Sequence, residues 1–184
     1  RFTVNNKKYI QIIKGFIALI ITVALLYTGQ ALWRSYTIDL PLDKTLNEID
    51  GVEEVSWDAG SSFNDAVIIN IKLGNIDNLQ KTYKEIKEKI DLTLNGKKYS
   101  LEIADDRSQE LEQAYYDIHY YVQKSIIDGD FPSLEAEVRE KAEMIGAEAK
   151  VYVDEQNIYL QFTKKDNSLF AAIGRHFDRT GGNL

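Results

Sequence analysis

The chain has 184 residues, with 22 Lys and Arg against 29 Asp and Glu, two His and no Cys. That acidic balance argues against binding a nucleic-acid backbone, which needs a basic face to release counterions, and the lack of Cys removes disulfides and thiol chemistry. Charged residues at 28%, aromatics at 11% and only two Pro describe a folded domain held by core packing, without long disordered linkers.

Residues 15–33 run for nineteen positions without a charge, close to the roughly 20 apolar residues that a helix needs to cross a bilayer core. Gly15, Phe16, Ile20 and Leu25 lie along this run, and Trp33 closes it where an amphipathic ring suits the membrane interface. Arg1, Lys7, Lys8 and Lys14 precede it, and no acid does. Without those four cations, 18 basic residues face 29 acidic ones beyond Trp33, a balance of −11. The positive-inside bias then places a short tail (1–14) in the cytoplasm and the large domain outside. Two readings compete with the anchor. One is a cleaved signal peptide, with an apolar core over Gly15–Tyr27 and small residues at Gly29 and Ala31. The other is a helix buried in a soluble protein, which would need a large surrounding core. The chain opens at Arg1 and not at Met, which fits a preceding segment.

After a juxtamembrane linker (34–40), residues 41–50 read as a short helix with Leu42, Leu46 and Ile49 on one stripe, ended by Gly51. Val55 and Trp57 mark one strand. Val67, Ile69, Ile71 and Leu73 mark a second, half-buried one, and Asp58–Asp65 joins the two as a long hairpin loop. Leu79, Tyr83, Ile86 and Ile90 define an amphipathic helix over 77–90, with Asp77 as its cap. Asn95-Gly96 between alternating segments reads as a hairpin turn. The rival is a helix running on to a Gly96 C-cap, followed by one strand.

Residues 106–128 form a second long helix lined by Leu111, Tyr115, Ile118, Val122 and Ile126. Asp128-Gly129-Asp130 breaks it, and Ser133 caps a third helix through Ile145 with Leu134, Val138 and Ala142 inward. A tight hairpin pairs Lys150–Val153 with Ile158–Phe162. Residues 168–177 read as a last short helix, and 179–184 as a flexible tail. On this reading 41–90 and 132–177 echo one another as helix, hairpin, helix, so the domain (41–178) divides into two α-β-β-α-like halves, 41–104 and 106–178.

The order helix, strand, strand, helix, strand near residues 41–103 is similar in topology to the small ring-building modules of bacterial secretion and sporulation channels. The resemblance covers about 65 residues, carries no diagnostic motif and implies an assembly role on the outer side of a membrane.

The chain offers little catalytic chemistry. His119 lies one residue off the apolar stripe of its helix, and His176 has no companion motif. No HExxH, GxSxG, SxxK, GxxxxGK[ST] or GxGxxG sequence is present. The acidic pairs Glu53-Glu54, Asp105-Asp106, Asp128/Asp130 and Asp154-Glu155 lack the spacing of a calcium loop and read as solvated turns. Tyr115, Tyr116, Tyr120 and Tyr121 cover nearly two faces of one helix. Tyr is enriched at interface cores, so Tyr116 and Tyr120, one turn apart, together with His119 form the candidate protein interface.

The expectation is therefore an α+β protein with a single N-terminal transmembrane helix. An extracytoplasmic domain of antiparallel β-hairpins packed with about four helices follows it. No enzymatic activity, cofactor, metal or nucleic acid is expected. The expected partners are the bilayer through residues 15–33 and either further copies of the chain or another membrane protein of a bacterial envelope complex. The alternative is an extracytoplasmic ligand-sensing domain on the same anchor.

Overall fold

The structure is a computed structural model and describes residues 14–26, 40–58 and 66–175. The chain divides into two units, residues 1–43 and 44–184. In the first, residues 14–26 form helix α1. Its large apolar side chains are between 52% and 69% exposed from Phe16 to Leu26, on every side of the helix, and Thr22 Oγ1 returns a hydrogen bond to the Ala18 carbonyl. No helix among the described residues is long and apolar enough to cross a membrane. Within the expected 15–33 span, Gly15, Phe16, Ile20 and Leu25 are helical, whereas Trp33 and the rest of 27–33 lie outside the described residues. The thirteen described residues of α1 rise about 20 Å, against a core of about 30 Å.

The remainder is α+β, with two three-stranded sheets. Helix α2 (Leu40–Asn47) ends before Gly51, whose φ of 86° and close approach to Ile76 leave no room for a side chain. Leu46 and Ile49 are buried as their spacing predicts. Strands β1 (Val52–Asp58) and β2 (Val67–Leu73) pair antiparallel. Val67, Ile69, Ile71 and Leu73 are all buried while Ile68 between them is 42% exposed, the period of two for a sheet with one covered face. Residues 59–65 of the expected loop lie outside the described residues.

Helix α3 (Leu79–Leu94) is where the sequence reading changes most. Asn78, not Asp77, is the N-cap, its side chain accepting from Lys81 N at 2.9 Å. The hairpin expected at Asn95-Gly96 does not form. The helix runs on because Leu94 extends the buried stripe of Leu79, Ile86 and Ile90 by one more turn. Asn95 then ends it in the left-handed region at φ 47°, with Gly96 following at φ 88°. The same dipeptide meets the positive-φ demand of either a hairpin or a helix end. Strand β3 (Tyr99–Ala104) pairs parallel with β2, an arrangement that needs a crossover, and α3 supplies it.

Helices α4 (Gln109–Asp128) and α5 (Phe131–Met144) meet at the left-handed Gly129. Asp130, and not Ser133, caps α5: its carboxylate accepts from Ser133 N at 3.2 Å, and the Ser133 hydroxyl together with that amide holds its pKa below the ordinary carboxylate value. Strands β4 (Glu148–Val153) and β5 (Asn157–Lys164) form the expected hairpin. The helix expected at 168–177 is instead strand β6 (Asn167–Gly174), antiparallel to β5 across a two-residue turn with Lys165 at φ 53°. Leu169, Ala171 and Ile173 alternate toward the α4–α5 core, a period of two that a helix would break. The echo between 41–90 and 132–177 therefore ends at its fourth element.

A hydrophobic core joins Leu111, Ile118 and Val122 of α4, Leu134, Val138 and Ala142 of α5, Ile158, Leu160 and Phe162 of β5, and Leu169 of β6. Strand β5 is buried on both faces, since Tyr159 and Gln161 are also covered. Gln161 is held by the approach to α3. Its Nε2 donates to the Ile76 carbonyl at 2.7 Å, and its Oε1 accepts from Leu79 N at 3.1 Å. Gln80, Tyr152 and Lys150 add further bonds between the start of α3 and β4.

Candidate functional site

Helix α4 presents two faces because its sequence has two periodic stripes. Leu111, Ala114, Ile118, Val122 and Ser125 turn inward and are buried, with Ser125 Oγ satisfied by the Val122 carbonyl at 2.8 Å. The opposite side carries Tyr116 at 75% exposure, Tyr120 at 87% and Ile127 at 76%. Seven and four residues apart, these fall on one outward stripe. The helix is firmly built: Ser108 caps it, Glu110 and Glu112 favour its positive end, and Gly129 donates to the Ser125 carbonyl at its close. Lys164 reaches Glu110 at 2.5 Å and holds that carboxyl below its ordinary value.

The sequence-predicted trio is brought together in part. Tyr116 and Tyr120 share the outward stripe. His119 is exposed but leans toward Tyr115, ring edge to ring face at 6.5 Å, on the flank of that stripe. Tyr115 packs against the core, and Tyr121 is 37% exposed. Ile127 completes the stripe. It follows from the same periodicity, counted about two turns further toward the C-terminus.

Two polar clusters hold the domain together. Asp154, in the β4–β5 turn, accepts from Gln156 N and Asn157 N with one oxygen, and from Lys84 Nζ and Tyr159 OH, each at 3.0 Å, with the other. Its burial works against the charged form. The four donors outweigh burial and hold the carboxyl far below its ordinary value. Burial and the adjacent Asp154 together push the Tyr159 hydroxyl up to about 12. Arg175 donates to the Asp154 carbonyl and stacks over the Phe131 ring at 4.6 Å. In the second cluster, the Asp105 side chain is almost wholly buried. It takes a two-pronged bond from Arg107 (2.8 and 2.9 Å) and a third from Phe170 N at 2.8 Å. Both clusters are fully satisfied, and no buried side-chain polar atom among the described residues lacks a partner.

Two depressions lie outside these clusters. One, of about 330 Å³, opens between the start of α4 and the end of α5, where Gln113, Ala114, Lys141, Met144 and Ile145 line it. The other, of about 840 Å³, opens between α3 and β3 and is lined by Tyr83, Lys87, Asp91, Lys97, Lys98 and Tyr99, among others. Sequence periodicity does not reveal the second site, because the α3 crossover is what brings Lys87 beside Lys97 and Lys98. Among the described residues, no group of three or more His, Cys, Asp or Glu is placed to hold a metal ion.

No protein family, curated protein or solved structure matches the chain, so its functional reading rests on its own residues.

Proposed function

We propose that the chain is a non-enzymatic, single-pass membrane protein of a bacterial envelope. In this reading its α+β domain lies outside the cytoplasm and acts as an assembly module. The observation that carries the assembly role is the outward stripe of α4. Tyr116, Tyr120 and Ile127 stay more than 70% exposed on a helix whose opposite side is fully buried. A soluble helix face is ordinarily polar, and large rigid aromatics of this kind are the anchors that interfaces favour. The anchor reading draws on α1, whose exposed aliphatic side chains suit lipid better than water, and on the uncharged run that continues through Trp33. The cations before that run and the −11 balance after it give the orientation.

The test is cross-linking of the full-length protein in membranes, with mass spectrometry of the captured species, for wild type and for the double variant Tyr116→Ser/Tyr120→Ser. Capture of the chain itself or of one recurrent membrane protein, lost in the variant, supports the assembly role. A monomer without a partner overturns it. The second reading, a ligand-sensing domain, draws on the two depressions beside α4 and α3. It expects no effect of the double variant on function.

A further inference from the structure

The exposed side of α4 is complementary to its own reverse. Gln113, Tyr120 and Ile127 follow one another at intervals of seven residues, close to two helical turns, so they share one line along the helix with Tyr120 at its middle. Tyr116 lies beside that line, and Asp117 and Lys124, also seven apart, share one flank of it. At one end of the line the exposed Ile127 projects. At the other end is the crevice of about 330 Å³, where Gln113 and Ala114 of α4 meet Met144 and Ile145 at the end of α5. Knob and hollow lie about 10 Å to either side of Tyr120 along the helix.

A second copy laid antiparallel on α4, with a two-fold axis at Tyr120, matches each feature to its complement. Each Ile127 reaches the crevice of the other copy, and the two exposed Tyr120 rings meet at the axis. Rotation about such an axis keeps each flank on its own side. Lys124 of one copy therefore comes level with Tyr116 and Asp117 of the other, where an aromatic ring and a carboxylate both favour an ammonium. Asp117 accepts from Gln113 Nε2 at 2.8 Å, and a carboxylate has acceptor sites beyond one bond. Lys141 in the crevice wall comes level with Asp128, the acid after Ile127, while Glu110 in the same wall is engaged by Lys164. A parallel pair would set Ile127 against Ile127 and leave both crevices empty. Tyr116 and Tyr120 alone bring roughly 150–250 Å² each, about half of the ~800 Å² that each partner gives to a standard interface. The exposed Ile127 and Met144 add to it.

We propose that the assembly partner of α4 is a second copy of this chain, paired antiparallel through α4 about a two-fold axis at Tyr120, with Ile127 of each copy seated in the α4–α5 crevice of the other. The inference rests on the assembly reading of α4 and names its partner. The two-fold closes this face at a dimer.

The experiment is sedimentation of the full-length protein in a neutral detergent, for wild type, Asp117→Lys, Lys124→Asp and the double swap Asp117→Lys/Lys124→Asp. By symmetry each single swap turns two attractive contacts into two repulsive ones. The expected result is a wild-type dimer, a dissociation constant raised roughly tenfold or more in each single swap, and recovery to within roughly threefold of wild type in the double swap. Recovery also shows that the single variants lose contact and not fold. A second measurement uses the absence of Cys. Tyr120→Cys places the only thiols at the axis, where a short thiol cross-linker joins two copies. In Tyr116→Cys the two thiols lie about 12 Å apart along the helices and stay unlinked. A dimer that ignores the swaps, single swaps that the double does not rescue, or Tyr116→Cys linking as readily as Tyr120→Cys overturns the α4 pairing. A monomer that still captures another membrane protein, lost in Tyr116→Ser/Tyr120→Ser, overturns the second copy as partner and leaves the assembly role standing. A monomer that captures nothing overturns both.

Discussion

Gln161 shows how a single side chain couples the two sheets. It lies on the face of β5 turned away from α4 and α5, and its amide is used at both ends by the Ile76–Leu79 corner. Gln161→Leu leaves one buried N–H and one buried carbonyl unpaired. The expected loss is about 3 kcal/mol, read from the urea midpoint. Asp154 gives a pH-dependent counterpart. Its folded pKa lies below the ordinary 3.8, so the unfolded chain binds the proton more tightly. The stabilisation is present above about pH 4 and is lost as the pH falls below it. Asp154→Asn is expected to cost about 2 kcal/mol at pH 7 and to flatten the loss of stability between pH 5 and pH 3. Parallel denaturation curves at the two pH values measure both effects.

At the scale of elements, α3 and α4 make opposite points. The end of α3 rests on a left-handed Asn95, so Asn95→Val should cost about 1 kcal/mol or more while Asn95→Gly stays within about 0.5 kcal/mol. Loss of stability in both variants alike would contradict this account of the helix end. On α4 the two stripes should respond differently. Ile118→Ala opens the core and is expected to cost about 2–5 kcal/mol. Tyr116→Ser/Tyr120→Ser should change stability by no more than about 0.5 kcal/mol per site, because neither side chain is covered. Thermal unfolding of the three proteins separates a packing face from a contact face.

For the whole molecule, the chemistry of α1 sets the prediction. Lys at Ile20 puts a charge in the middle of an exposed aliphatic helix, at a cost of about 2.5–3.5 kcal/mol if that helix sits in lipid. Ile20→Lys should therefore move the protein from the carbonate-resistant membrane pellet toward the supernatant. Equal retention of variant and wild type would contradict the membrane placement of α1.

Periodicity and composition alone determined much of this protein: the α+β class, four helices after α1, strands β1, β2, β4 and β5, and the outward pair Tyr116 and Tyr120. Each rests on side chains that alternate at two or recur at three and four, a local property of the chain. Tertiary structure decided what local pattern leaves degenerate. Asn95-Gly96 serves a hairpin or a helix end equally, and only burial of Leu94 selects the helix. Residues 168–174 carry both helical and alternating apolar positions, and the open edge of β5 selects the strand. Asp77 and Asn78, like Asp130 and Ser133, are interchangeable as caps by residue type, and the backbone trajectory chooses between them. The depression between α3 and β3 exists only because the parallel β2–β3 pairing folds α3 back over the chain. Contacts between residues distant in sequence are set by the energy of the whole core, and no window of the sequence contains them.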